Sequence, residues 1–147
     1  MKIIHKKAYF NYEISEHLEA GIQLTGAEVK SLIAGHASLE GAFVRIIGSE
    51  AYLVNAQIFP YIYARPEGYD PKRTRKLLLH KKEIISLKGK IEGSNLALVP
   101  LSLYTARGNI KLEIGLGRGK KQYEKREKKR REDQKRDLEQ DFRGKVK

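Results

Sequence analysis

Residues Ile110-Lys111-Leu112-Glu113-Ile114-Gly115-Leu116 alternate apolar and polar without a break. That alternation predicts a strand with one buried face. Leu96 to Tyr104 reads as a second strand, and the break Thr105-Ala106-Arg107-Gly108-Asn109 joins the two as a hairpin. Another pair, Phe43 to Ile47 and Ala51 to Phe59, flanks Gly48-Ser49-Glu50. Pro60 ends the longer strand because proline has no N–H for a ladder. Tyr9 to Ile14 and Ile22 to Leu24 are shorter predicted strands, separated by the polar stretch Ser15–Gly21.

Two helices interrupt this pattern. Thr25-Gly26-Ala27-Glu28 is a T-x-x-E capping box, with Val29, Leu32 and Ile33 as the apolar side and Gly35 as the stop. The second helix spans about His80 to Lys88, with Leu77, Ile84 and Leu87 on one side and Gly89 closing it. The pattern predicts a mainly β (α+β) fold, a small closed antiparallel OB-like β-barrel with two or three short helices. Closure would remove exposed sheet edges in so small a domain. No internal repeat is present.

Charge divides the chain in two. Residues 1–117 hold sixteen basic and eleven acidic side chains and are long enough for one domain. Residues 118–147 hold fourteen Lys or Arg and seven Asp or Glu, or +7 of the formal +12. The sizeable apolar residues of this tail are Tyr123, Leu138, Phe142 and Val146, too few to offset the entropy of ordering thirty residues. Yet it has no Pro, and Glu precedes Lys or Arg by four at Glu124–Lys128, Glu127–Arg131, Glu132–Arg136 and Glu139–Arg143. A basic C-terminal tail that is disordered when free and helix-prone against a polyanion fits that composition. A merely solubilising tail is the competing reading.

A second basic cluster lies between Arg65 and Lys82, where seven cations face Glu67 and Asp70. Asp70-Pro71-Lys72-Arg73-Thr74-Arg75-Lys76 reads as a turn, and its cations suit a phosphate backbone. Tyr61, Tyr63 and Tyr69 lie just upstream, either as faces for RNA bases or as ordinary strand residues.

Other functions are disfavoured. His5, His17, His36 and His80 are scattered and form no H-x-x-E-H pattern, and no G-x-S-x-G occurs. No enzyme, metal site or cofactor is expected. The absence of Cys removes disulfides and thiolate ligands and fits a cytoplasmic protein. No apolar run approaches the roughly 18 residues of a membrane helix, and residues 1–7 lack a signal-peptide core.

Four segments carry a family resemblance. Asp70 to Glu83 closely resembles the D-P-x-R-x-R-K-L-L-L-x-x-x-E signature of the SsrA-binding protein (small protein B) family. Glu19-Ala20-Gly21-Ile22 with Leu24 to Ser31 is similar to its E-A-G-I-x-L-x-G-x-E-V-K-S stretch. Leu98-Val99-Pro100-Leu101 with Leu103-Tyr104 matches its strand before the last hairpin. Gly117 to Arg126 is similar to its A-K-G-K-K-x-x-D-K-R segment, with Gly117, Arg118 and Glu124 replacing three members.

The resemblance implies a monomeric, non-enzymatic adaptor of trans-translation. It would bind the tRNA-like domain of transfer-messenger RNA (tmRNA, SsrA RNA) and deliver it to stalled ribosomes. Elongation factor Tu with alanyl-tmRNA would be an indirect partner. The tail would enter the empty mRNA channel beside the small-subunit rRNA of the decoding centre. The alternative is a constitutive ribosomal or other structured-RNA-binding protein. By position, Glu19, Leu78, His80 and Phe10 fall on the family's RNA face, and Lys6, Lys7, Arg73, Arg75, Lys76 and Lys111 supplement it. Glu19 would accept hydrogen bonds from bases or 2′-hydroxyls, or else cap a loop. His80 would stack or donate, or else cap its helix; Lys111 points to solvent or to RNA. In the tail, Arg118, Lys120, Lys121, Lys125 and Arg126 would meet rRNA phosphates and Tyr123 an rRNA base. Leu138, Phe142 and Val146 form a docking stripe or an incidental spacing.

Overall fold

A computed structural model describes residues 1–63, 67–120, 125–127 and 129–134. The elements run β1 (Lys2–Ile4), α1 (Ala8–Asn11), β2 (Tyr12–Ile22), α2 (Gly26–Ile33), β3 (Ala37–Ser38), β4 (Phe43–Ile47), β5 (Glu50–Val54), β6 (Gln57–Ile58), β7 (Arg75–Leu78), α3 (Lys81–Ile91), β8 (Leu96–Ala106) and β9 (Asn109–Gly119). The fold is mainly β with a few helices, as the pattern predicts. Seven strands pair antiparallel in the order β1-β8-β9-β2-β7-β5-β4, and β3 pairs with β6.

The expected closed barrel is not formed among the described residues. The ladder ends at β1 on one side and β4 on the other. The short β1, absent from the sequence prediction, occupies the edge of β8 that closure would need. β1 covers Ser102 to Tyr104 of that edge, and β4 packs against β8 without joining its ladder.

One core lies on the concave side. Leu98 and Leu103 of β8, Leu112, Ile114 and Leu116 of β9, Ala20 and Ile22 of β2, Leu77 of β7 and Leu53 of β5 are buried together. Leu32 and Leu87 bring in α2 and α3. Each large aliphatic side chain removed from water contributes about 1.5–3 kcal/mol.

The opposite face carries a smaller cluster of Ala8, Val99 and Leu101, against which Tyr12 and Ile14 pack. Register shifts between Ile14 and Glu16 and between Pro100 and Ser102 allow this. Each bulge flips the side of the next residue, so Ile14 and Leu101 point away from the core that holds Leu18 and Leu103. Close approach here demands glycine. A Cβ at Gly115 would sit 2.9 Å from Ile14 Cγ2, and one at Gly117 only 2.4 Å from the Glu13 carbonyl oxygen. Gly117→Ala is therefore expected to cost about 1–3 kcal/mol of stability, read as a lower urea midpoint. An unchanged midpoint would remove the close-approach account.

Several elements depart from the pattern reading. Residues 8–11 are helical, and the polar stretch Ser15–Gly21 is the middle of one long β2. Its outward positions are His17 and Glu19, its inward ones Leu18, Ala20 and Ile22. A bulge and a small inward Ala20 hide that alternation. The span 51–59 breaks at Asn55, whose φ of 65° starts a turn between β5 and β6. The β8–β9 turn is only Arg107-Gly108, at φ 52° and 78°, with Ala106 opposite Asn109. Positive φ at both residues matches the twist of a two-residue hairpin. Arg75–Leu78, read as the end of a loop, is strand β7.

The α2 capping box is present: Thr25 Oγ1 accepts from Glu28 N (3.2 Å) and Glu28 Oε1 from Thr25 N (2.9 Å). Gly35 follows at φ +79°. Ile33, however, is 63% exposed. In α3 the chain continues through Gly89 to Ile91, because Ile91 still packs on the core. The body also runs past residue 117: β9 reaches Gly119, and Lys120 N donates to Asn11 O at 2.8 Å.

Candidate RNA-binding face

Register builds the site. Gly21 of β2 lies opposite both Lys111 of β9 and Leu78 of β7. Tyr104 of β8 lies opposite Lys111 and Lys2 of β1. Lys2, Tyr104, Lys111, Gly21 and Leu78 thus form one row across five strands, on the face turned away from the main core. Residues 78 and 111, far apart in the chain, flank Gly21 from its two sides. Glu19 stands in the next row, opposite Glu113.

Glu19 is tethered. The Tyr104 hydroxyl donates to its Oε2. Burial, the hydrogen bond to Glu19 and the nearby charges of Glu19 and Glu113 push the Tyr104 hydroxyl up to about 12, so it remains a donor at neutral pH. Glu113 is held separately, by Ser102 Oγ (3.1 Å) and His17 Nδ1 (2.9 Å). Two carboxylates facing each other across a pair repel phosphate locally. What they can accept is a hydrogen bond from a donor. Glu19 therefore sits in a strand and not in a loop that needs capping. The sequence pattern does not single out Tyr104; the two-residue turn fixes its place opposite Lys111.

The basic loop is partly turned inward. Arg75 is fully buried. Its Nε donates to Glu28 Oε2 (2.6 Å), Nη1 to Ala56 O (2.7 Å) and Nη2 to Pro71 O (3.1 Å). The expected phosphate contact at Arg75 is thus corrected: the guanidinium is spent on Glu28 and two carbonyls, with no surface to offer. Arg73 is half-exposed and donates to Glu28 Oε1 at 2.6 Å. Burial by itself raises the Glu28 carboxyl, but the bonds from Arg73, the Thr25 amide and Arg75 outweigh it and hold the group below its ordinary 4.5. Lys76 points outward and pairs with Glu50 at 3.0 Å. Leu78 is 50% exposed. His80 is exposed and precedes α3, where its backbone N–H reaches Glu83 Oε1 at 3.4 Å, so a capping position and an open side chain coexist.

The remaining candidates lie elsewhere. Lys7 pairs with Glu40 at 2.7 Å beside an exposed Lys6, and Phe10 is half-buried in α1. These three flank the smaller apolar cluster rather than the Lys111 row. Tyr61 and Tyr63 lie outside any strand, edge to face at 5.4 Å, with Lys30 Nζ 5.6 Å from the Tyr61 ring centre. Tyr69 donates to Ile58 O at 2.7 Å. Arg118 belongs to β9 and pairs with Glu13 at 2.5 Å, while Lys120 Nζ donates to Tyr9 O at 2.9 Å. Both are tied to the body rather than to a separate tail. Residues 125–127 and 129–134 are helical, with Lys125 and Arg126 on that segment and Glu127–Arg131 paired at 3.6 Å. Arg65, Lys121, Tyr123, Leu138, Phe142 and Val146 lie outside the described residues.

Among the described residues no helix is long and apolar enough to cross a membrane, and no three His, Cys, Asp or Glu are grouped to hold a metal ion. A sheet face combining cations, exposed aliphatic side chains and a tethered carboxylate, on a chain of net charge +12, fits the class of β-type RNA-binding proteins. The model of one family, described as SmpB protein, matches residues 3–144. The chain belongs to the SmpB, or SsrA-binding protein, family. It is 51% identical to the SsrA-binding protein of Sulfurihydrogenibium sp. (strain YO3AOP1) over 143 residues, 97% of this chain and 94% of that one. The SsrA-binding protein of Persephonella marina is 47% identical over the same shares. A solved structure reported as "tmRNA-SmpB: a journey to the center of the bacterial ribosome" superposes with a TM-score of 0.68 at 48% identity, covering 82% of this chain and 85% of its own.

Proposed function

We propose that this chain is an RNA-binding adaptor of trans-translation that binds tmRNA and carries it to stalled ribosomes. Family membership over residues 3–144 supports the assignment. The observation that carries it is the row joining Lys111, Gly21 and Leu78 beside the tethered Glu19. The outer face grips the tRNA-like domain, with Lys76 and Arg73 meeting phosphates at its margin. The sheet, curled so that β4 lies against β8, follows an OB-like plan. The C-terminal segment, helical over 125–127 and 129–134, serves as a separate unit in the vacant mRNA channel. There Lys121, Lys125 and Arg126 meet rRNA phosphates of the small subunit and Tyr123 a base at the decoding centre. The protein acts as a cytoplasmic monomer by binding alone, alongside elongation factor Tu.

The test is competition between the tRNA-like domain and unrelated RNA of equal size. Preference for the former is expected. Tyr104→Phe, which frees Glu19 to swing, is expected to weaken binding several-fold, about 1 kcal/mol, with the salt slope unchanged because no phosphate contact is lost. Equal affinity for both RNAs would end the adaptor reading.

A further inference from the structure

An open trough of about 460 Å³ lies between α2 and the β8–β9 hairpin, at the end of the Lys111 row. Gly21 forms part of its lining, and Ile22, Leu24, Val29, Ile33, Leu78 and Ile110 are its large apolar members. Ile33 and Leu78 are 63% and 50% exposed, a large apolar surface for a helix and a strand to leave in water. A Cβ at Gly21 would come within 3.1 Å of Leu78 Cβ, so any side chain there would crowd that wall. Lys111 is the one cation in the lining, and Asn109 and Thr105 stand at the hairpin end.

We propose that this trough receives an unstacked nucleobase of the bound RNA, an inference that rests on the RNA-adaptor reading above. The chemistry matches a nucleotide part by part. Flat apolar base faces fit between aliphatic walls, which bind extruded bases by contact and exclusion of water. The amide and hydroxyl of Asn109 and Thr105 supply donors and acceptors for a base edge. Lys111 supplies the charge for the attached phosphate. The trough is continuous with the outer face through Gly21, Leu78 and Lys111, so a strand lying on that face reaches it without a bend in the protein. An apolar protein segment would leave Lys111 without a counter-charge.

The test uses the full-length chain bound to tmRNA, with base-selective chemical probing and salt titration. The wild-type protein is expected to protect one or two unpaired bases. Ile33→Ser removes an exposed wall and leaves the core intact. It is expected to weaken binding about tenfold, the scale of one lost base stack, to restore reactivity of the protected base, and to leave the salt slope unchanged. Lys111→Ala is expected to lower the salt slope by about 1. Wild-type affinity and an unaltered protection pattern in Ile33→Ser would overturn the trough while leaving the adaptor reading standing. Failure of the wild-type protein to prefer tmRNA would remove both.

Discussion

Deleting residues 121–147 is expected to abolish tagging of stalled nascent chains and to leave tmRNA affinity within about threefold at physiological salt. The cut is placed after Lys120 because Lys120 N and Nζ are bonded to Asn11 and Tyr9, and β9 extends to Gly119. Cutting after residue 117 would also strip pairs from β2 and β8, since Arg118 lies opposite Glu13 and Leu96. That would confuse loss of function with loss of fold. The retained body keeps eighteen basic and eleven acidic side chains, and the removed segment carries twelve and seven. If the two basic regions serve different RNAs, the salt slope for tmRNA remains that of the body. Parallel loss of affinity and tagging would refute the division of labour.

Arg75→Ala is expected to destabilise the domain by about 3–5 kcal/mol, a large share of the 5–15 kcal/mol that holds most domains. The substitution leaves Glu28, itself 1% exposed, without one of its two cations, and strips the guanidinium's bonds from the carbonyls of Ala56 and Pro71, of which Pro71 keeps the bond from Ile58 N. Those three points belong to α2, the β5–β6 turn and the start of the basic loop. One guanidinium therefore holds the three segments that frame β7. Loss of the clasp also releases Leu78 and Lys76 from register, so RNA binding should fall with stability. Lys76→Ala is the control: both partners of its ion pair with Glu50 are more than a third exposed, and the cost should be under about 1 kcal/mol.

The same clasp gives a pH dependence. The Glu28 carboxyl is held below its ordinary 4.5 in the folded protein. A depressed folded value means that the unfolded chain takes up the proton first as pH falls. The stabilisation is therefore fully present above about pH 4.5 to 5 and is lost as pH drops through the folded value. Urea midpoints between pH 3 and 7 should show this loss in the wild type and a flatter profile in Arg75→Ala. Identical profiles would mean that Glu28 gains nothing from Arg75.

Much of the fold is legible locally. The Ile110–Leu116 alternation, the Thr25–Glu28 capping box and the Phe43–Ile47 strand need only residues a few positions apart, and all are present. The errors share a different origin. Residues 15–21 look like a loop because half of β2 faces solvent and a bulge shifts the phase of the rest. Ile33 looks like core because helical spacing places it beside Leu32, yet the face that packs inward contains Ser31 and Glu28. Arg75 looks like a surface cation because its partner lies 47 positions away.

The chain alone determined that this is a mainly β domain with a capped helix, a second helix and a cationic C-terminal extension. Those features follow from side-chain period, turn chemistry and charge, which are properties of neighbouring residues. Only the tertiary structure decided which cations remain available, that Tyr104 tethers Glu19, and that Gly21, Leu78 and Lys111 share one row. These outcomes depend on register between distant strands and on burial. Hydrogen-bonded pairing of strands far apart in the chain fixes both, and no local window contains it.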